Sequence, residues 1–242
     1  MDNLKKILKN KPKDVYVKEM FNVLASDYDF MNSIITFGRN KSFKKQAVKR
    51  IYNLLAGKKE LRILDVCCGT GDIAIFAAEM FGESANITGV DFSEKMLEVA
   101  EKRAHSFKNI EFIPADVMNL PFENEYFDAV FISFGLRNLA DIKKGLLEFK
   151  RVTKPAGYVT NLDVGKAGGV LGFLAGIYFS FIVPFMGKVF CGKAEPYEYL
   201  HESREDFPSQ YELLEIMEEL GYREIKNCNY MFGAVAQQVA QV

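Results

Sequence analysis

The spacing of hydrophobic residues changes along the chain. Before Gly57, Val15, Met20, Phe21, Leu24 and Tyr28 recur at helical spacing, and Phe43, Ala47, Ile51, Leu54 and Leu55 do so again. Short apolar runs then alternate with helical stretches. Strands are predicted over Arg62–Val66, Asn86–Val90, Ile110–Ile113, Phe127–Phe134 and Tyr158–Leu162. Helices are predicted between them over Ile73–Met80, Glu94–Ala104 and Ile142–Arg151. This alternation predicts an α/β fold, a doubly wound and mostly parallel sheet with helices on both faces. Runs with little polar alternation suit strands buried on both sides, and Phe127–Phe134, nearly all apolar, suits the centre. A last helix over Gln210–Leu220 stops at Gly221. Strands over Glu224–Asn229 and Gly233–Ala240 follow with a short connection, as an antiparallel hairpin at one edge requires. The sheet then has seven strands, with helices before it and a helical insertion near its C-terminal part.

The run from Gly168 to Gly187 carries no charge and is flanked by Lys166 and Lys188. Its length would allow a bilayer span. Its glycines and Pro184 favour a buried or lid-forming segment that touches a lipid surface, with a plain pair of core helices as the simpler alternative. Net charge is −1, which gives no reason to expect nucleic acid. Cys67 and Cys68 are adjacent, and His105 and His201 lie far apart, so no metal-ligand or redox spacing is present and no metal is expected. A charged N-terminus without a signal peptide and sparse cysteines predict a cytoplasmic protein.

The strongest local signal is Leu64-Asp65-Val66-Cys67-Cys68-Gly69-Thr70-Gly71-Asp72, between a predicted strand and a predicted helix. Glycines there let the backbone turn sharply and approach a ligand. In such sheets ligands sit beyond the carboxyl ends of the strands. Asp91 ends the second strand, where a carboxylate can accept both hydroxyls of a ribose. Gly69, Gly71 and Ala74 also fit a loose dinucleotide fingerprint, so the turn alone does not choose between a nicotinamide cofactor and S-adenosylmethionine. The acids favour the second. Asp72 would repel a diphosphate at its helix N-terminus but suits a sulfonium and an ammonium. Asp65 ends the first strand beside the same pocket. Asp116 follows the third strand, where it can accept the exocyclic amine of adenine. The structural alternative for Asp72, Asp91 and Asp116 is helix capping.

The whole chain resembles class I methyltransferases, which have a Rossmann-like fold. From about residue 14 to 240 it resembles more narrowly the ubiquinone/menaquinone biosynthesis C-methyltransferases. The resemblance rests on Tyr28-Asp29-Phe30-Met31-Asn32, Thr36-Phe37-Gly38, Asn119-Leu120-Pro121-Phe122 and Arg151-Val152-Thr153-Lys154-Pro155. It rests also on Tyr199-Leu200-His201-Glu202-Ser203 with Phe207-Pro208, and most specifically on Ser133-Phe134-Gly135-Leu136-Arg137-Asn138. Asn40 and Phe43 stand where the family usually has a histidine and a tryptophan. Ala156-Gly157 replaces a glycine pair, and Asp163 replaces a glutamate.

The resemblance implies S-adenosyl-L-methionine as cofactor and Thr70, Asp91, Asp116, Val117 and Ser133 as contacts. Asp65, Gly69, Gly71, Phe92 and Met96 complete the expected cofactor site. It places Arg137 and Asn138 at the acceptor, a polyprenylated hydroquinone methylated at a ring carbon, and implies no metal. Arg137 would stabilise a phenolate and Asn138 orient its hydroxyl, with His201 as a candidate base and Tyr28 as a further contact. The expected organisation is a single domain over 1–242. It comprises an N-terminal helical lid (1–57), a cofactor-binding core (58–164), an apolar lid insertion (165–209) and a final helix and strand hairpin (210–242). A lipophilic quinol as partner leaves peripheral contact with the inner face of a membrane, and a homodimer, open. Rival readings are a methyltransferase for a soluble acceptor, a nicotinamide-dependent oxidoreductase, and a non-catalytic scaffold.

Overall fold

The computed structural model describes residues 11–24, 28–191 and 195–242. Five strands run parallel: β1 (Leu61–Val66), β2 (Ala85–Asp91), β3 (Ile110–Pro114), β4 (Phe127–Ser133) and β5 (Thr153–Val164). They are followed by β6 (Arg223–Tyr230) and β7 (Val235–Gln241), and β7 lies antiparallel between β5 and β6. The order is β3-β2-β1-β4-β5-β7-β6, so the sheet is seven-stranded and β4 is its middle strand. The chain reverses its direction of winding between β1 and β4, which opens a crevice beyond their carboxyl ends.

The near-continuous apolar strands are explained by two buried faces. Side chains alternate across a strand. Leu64, Val66, Val130 and Ile132 pack with Leu146, Phe149, Leu213 and Met217 from α6 (Ile142–Val152) and α10 (Gln210–Glu219). Their neighbours Ile63, Ala129 and Phe131 pack on the other face with Ile51, Ile73 and Ala77 from α3 (Asn40–Leu54) and α4 (Asp72–Phe81). Each Val, Leu, Ile, Met or Phe side chain so removed from water contributes about 1.5–3 kcal/mol. Ser93 caps α5 (Glu94–Ala104) by accepting from the Met96 amide, and Ser209 with Glu212 forms a capping box on α10.

Several boundaries differ from the periodicity. Phe134 leaves β4, because its φ of 55° lies in the left-handed region. β5 starts five residues earlier than the predicted Tyr158, because Thr153 already pairs with Phe127 ahead of a register shift against β4, and β7 starts after a 3-10 turn over Met231–Gly233. The amino-terminal region contains α1 (Lys13–Leu24) and α2 (Tyr28–Ile35). The apolar run folds as α7 (Gly169–Ile177), a π-helical turn (Tyr178–Ile182) and α8 (Val183–Cys191), and α9 (Glu195–Asp206) follows. Among the described residues no helix is long and apolar enough to cross a membrane. Val183 faces inward, in one cluster with Tyr16, Val17 and Met20 of α1 and Tyr197 and Tyr199 of α9.

Candidate active site

The turn after β1 is tight and crowded. Cys67 and Gly69 both have φ of 54°, and Gly71 has φ of 82°. A Cβ on Gly71 would sit 3.0 Å from the Phe112 ring. A Cβ on Gly135, after β4, would lie 2.7 Å from the Cβ of Cys67, so only glycine lets the two turns approach. Asp91, at the end of β2, locks this arrangement. Its Oδ2 accepts the Gly69 amide and its Oδ1 the Ser93 amide, both at 2.9 Å. Burial pushes its carboxyl up, against the opposing pull of the main-chain donors at Ser93, Gly69 and Phe92.

A cavity of about 310 Å³ opens at this point. Gly69, Asp91, Phe92, Met96, Asp116, Val117 and Ser133 line it, and so does Asn138. Asp116 accepts the Met118 amide, which fixes its turn. Ser133 Oγ is buried without a hydrogen-bond partner among the described residues. A buried hydroxyl in that condition beside a cavity marks a place for a ligand's polar atom. The helix α1 closes the open side with Val17, Lys18 and Phe21.

Asp65, Thr70 and Gly71 do not line this cavity. Asp65 lies under the turn, where it accepts the Ala74 amide, and burial pushes its carboxyl up to about 8. Thr70 donates through Oγ1 to Asp29 of α2 at 2.8 Å. Asp72, expected to suit a sulfonium and an ammonium at its helix N-terminus, does not line the cavity either. Asp72 is buried and bridges Lys44 of α3 and Arg103 of α5. Burial works to raise its carboxyl, but Lys44 and Arg103 outweigh that and hold it below the usual carboxylate range. Its charge is therefore spent within the fold. Arg103 also reaches Asp29 and the Thr70 carbonyl, which joins α2, α4 and α5 around the turn.

A second, more apolar cavity of about 540 Å³ lies on the other side of the turn after β4. Ile35, Phe37, Val164, Leu174, Tyr178 and Phe232 line it, together with Phe134 and Arg137. A small pocket of about 40 Å³, lined by Phe21, Arg137, Asn138 and Tyr199, stands between the two. Arg137 is buried and paired with Asp163, and its Nη1 donates also to the Phe134 carbonyl. Asp163, the shorter acid in the position of the family's glutamate, thus reaches the arginine. Asn138 Oδ1 accepts from the Tyr199 hydroxyl at 3.4 Å. His201 Nε2 lies 3.3 Å from Ser180 Oγ and lines none of these three cavities. The side chain of Tyr28 lies outside the described residues. Of the other departures, Phe43 is buried against Tyr230, while Asn40 lines the apolar cavity. Sequence reasoning missed Lys13, Arg103, Lys44 and Tyr199. Of these four, only Tyr199 fell within a recognised motif.

The description of the ubiE/COQ5 methyltransferase family matches this chain over residues 9–241. The chain belongs to that family. It is an S-adenosylmethionine-dependent methyltransferase. Relatives include demethylmenaquinone methyltransferase of Desulfitobacterium hafniense, 41% identical over 93% of this chain and 89% of that protein. The protein of that name from Staphylococcus aureus is 36% identical over 95% of this chain and 94% of its own length. Among solved structures, a SAM-dependent methyltransferase from Aquifex aeolicus covers 88% of this chain and 97% of its own, with 21% identity and a TM-score of 0.62. The [4+2]-cyclase SpnF covers 93% of each chain at 16% identity with a TM-score of 0.64. The shared fold therefore does not settle the chemistry, whereas membership of the ubiE/COQ5 family does. The residues present fit the cofactor: a buried acid at the end of β2, a second acid after β3 and an unsatisfied serine hydroxyl border one cavity.

Proposed function

We propose that the protein methylates a ring carbon of a polyprenylated hydroquinone, of the demethylmenaquinol or ubiquinol-precursor type. The observation that carries this is the turn after β4. Phe134 lines both the cofactor cavity and the apolar cavity, and Arg137 and Asn138 stand between them. A donor on one side and an apolar acceptor on the other would meet at that turn. The names of the relatives support the naphthoquinol branch.

When bound, S-adenosylmethionine supplies an electrophilic methyl group on a sulfonium. Asp91 would hold its ribose hydroxyls, Asp116 its exocyclic amine and the Val117 amide a ring nitrogen, while Ser133 offers a further hydrogen bond. A ring carbon is a weak nucleophile until a neighbouring phenol loses its proton. Arg137, fixed by Asp163 and the Phe134 carbonyl, would stabilise the phenolate directly or through water. Asn138, whose amide is turned by Tyr199, would orient the hydroxyl. The cover formed by α1 would exclude water and hold the reactants in near-attack geometry.

A prenylated acceptor resides in a membrane. The outer side of α7, the π-turn and α8 supports peripheral contact with one: Val170, Leu174, Phe181, Phe185 and Val189 are all exposed there. Leu174 and Tyr178 of the same segment line the apolar cavity, which joins that surface to the site.

The test is methyl transfer by the full chain to a short-chain demethylmenaquinol kept reduced, beside a benzoquinol precursor and a water-soluble catechol. The ring-methylated naphthoquinol is the expected product by mass spectrometry. Transfer to the catechol alone would overturn the reading. Arg137→Ala is expected to lower kcat by about a hundredfold or more. Unchanged turnover in that variant would remove the phenolate role.

A further inference from the structure

We infer that α1 is a strap coupling the cofactor half of the site to the acceptor half, with Lys13 as the positioning residue at its acceptor end. Phe21 of α1 lines both the cofactor cavity and the small pocket beside Arg137 and Asn138. Polar anchors hold the helix near both ends. Toward its C-terminal end, Asn22 Oδ1 accepts from Ser93 Oγ at 2.7 Å. Ser93 is fully buried, and its amide donates to Asp91. At the N-terminal end, Lys13 Nζ donates to the carbonyls of Arg137 at 2.8 Å and Leu139 at 2.9 Å. Those carbonyls flank Asn138, in the single 3-10 turn over Leu136–Asn138 and the residue after it. A cation that caps the carbonyls ending a helical turn fixes where that turn sits.

Burial draws the Lys13 ammonium below its ordinary value, opposed chiefly by Asp206. The ammonium is therefore taken from water to make this contact, which happens only where fixed acceptors receive it. Tyr16, one turn further along, packs on the Tyr199 ring at 5.5 Å, beside the same asparagine. Lowering α1 over the cofactor thus also sets the main chain that carries Arg137 and Asn138. The acceptor half reaches its final form only with the strap down. Calling that half the acceptor side rests on the proposed function; the coupling itself rests on the cofactor cavity alone.

The test therefore uses S-adenosylhomocysteine and no acceptor. Amide hydrogen exchange of the full chain is followed with and without it, in the wild type, K13M and K13R. The reporters are the amides of Asn138 and Leu139, which bond to Gly135 and Leu136, and those of Gly69 and Ser93, which bond to Asp91. In the wild type both sets should exchange about tenfold more slowly with ligand. Asn138 and Leu139 also line the cofactor cavity, so direct contact could slow them, and K13M separates the two causes. In K13M the ligand should still slow Gly69 and Ser93 but no longer Asn138 and Leu139, and K13R should restore the wild-type response. Three results would each overturn the coupling: no slowing at Asn138 and Leu139 in the wild type, full slowing there in K13M, or loss of slowing at both sets in K13M.

Discussion

At the residue scale, similar acids do different work because their surroundings differ. Asp72 is balanced by Lys44 and Arg103, Asp65 is enclosed beneath the turn, and Asp91 alone of the three borders the cavity. The sequence placed an acid after each of three successive strands, but it could not show which carboxylates already had cationic partners. Lys44 and Arg103 come from other helices, and their sequence distance from Asp72 hid the pairing. Asp91 should therefore be the most sensitive cofactor contact. Asp91→Ala is expected to weaken S-adenosylhomocysteine binding by about a hundredfold in calorimetry. It should also lower stability by about 1–3 kcal/mol, because the Gly69 and Ser93 amides lose their acceptor. Asp91→Asn, which keeps one oxygen acceptor, should lose less stability. Unchanged binding in both variants would remove Asp91 from the cofactor site.

At the scale of elements, the strands and the helices between them were legible because each repeats a short period over its own residues. The predicted Glu94–Ala104 helix matches the observed α5 at both ends. Boundaries set by tertiary contacts were not legible. Phe134 is apolar enough to continue β4, yet it turns left-handed so that Gly135 can pass Cys67. The apolar run was ambiguous for a physical reason: one composition serves a span, a core pair or an interfacial segment. Its fold leaves Phe181 72% exposed and Phe185 66% exposed. Neither lines the three cavities. The double variant Phe181→Ser, Phe185→Ser should bind anionic lipid vesicles about tenfold more weakly in co-sedimentation. It should keep its turnover with a short, water-soluble acceptor. Equal vesicle binding by both proteins would count against this face as the contact.

At the scale of the whole molecule, the glycine-rich turn is built over a buried acid, and this has a consequence for stability. Burial raises the folded carboxyl of Asp65 to about 8, against an ordinary value of 3.8. Between those two values the folded chain holds a proton that the unfolded chain has released. Stability should therefore fall as pH rises through that window, by up to about 1.4 kcal/mol per pH unit, and level off above it. Asp65→Asn, which can still accept the Ala74 amide, should flatten this fall in urea titrations across pH 5 to 8. Parallel curves for the two proteins would show that Asp65 does not carry it. The sequence by itself determined the doubly wound sheet, the turn after β1 and the acids at the strand ends, because period, glycine and position along a strand are local properties. Only the tertiary structure decided which acids face the cavity, that Arg137 is held by Asp163, and that Phe21 of α1 lines both the cavity beside Asp91 and the small pocket beside Arg137. Those contacts join side chains far apart along the chain, and their energies depend on burial and charge balance that exist only once the elements have packed.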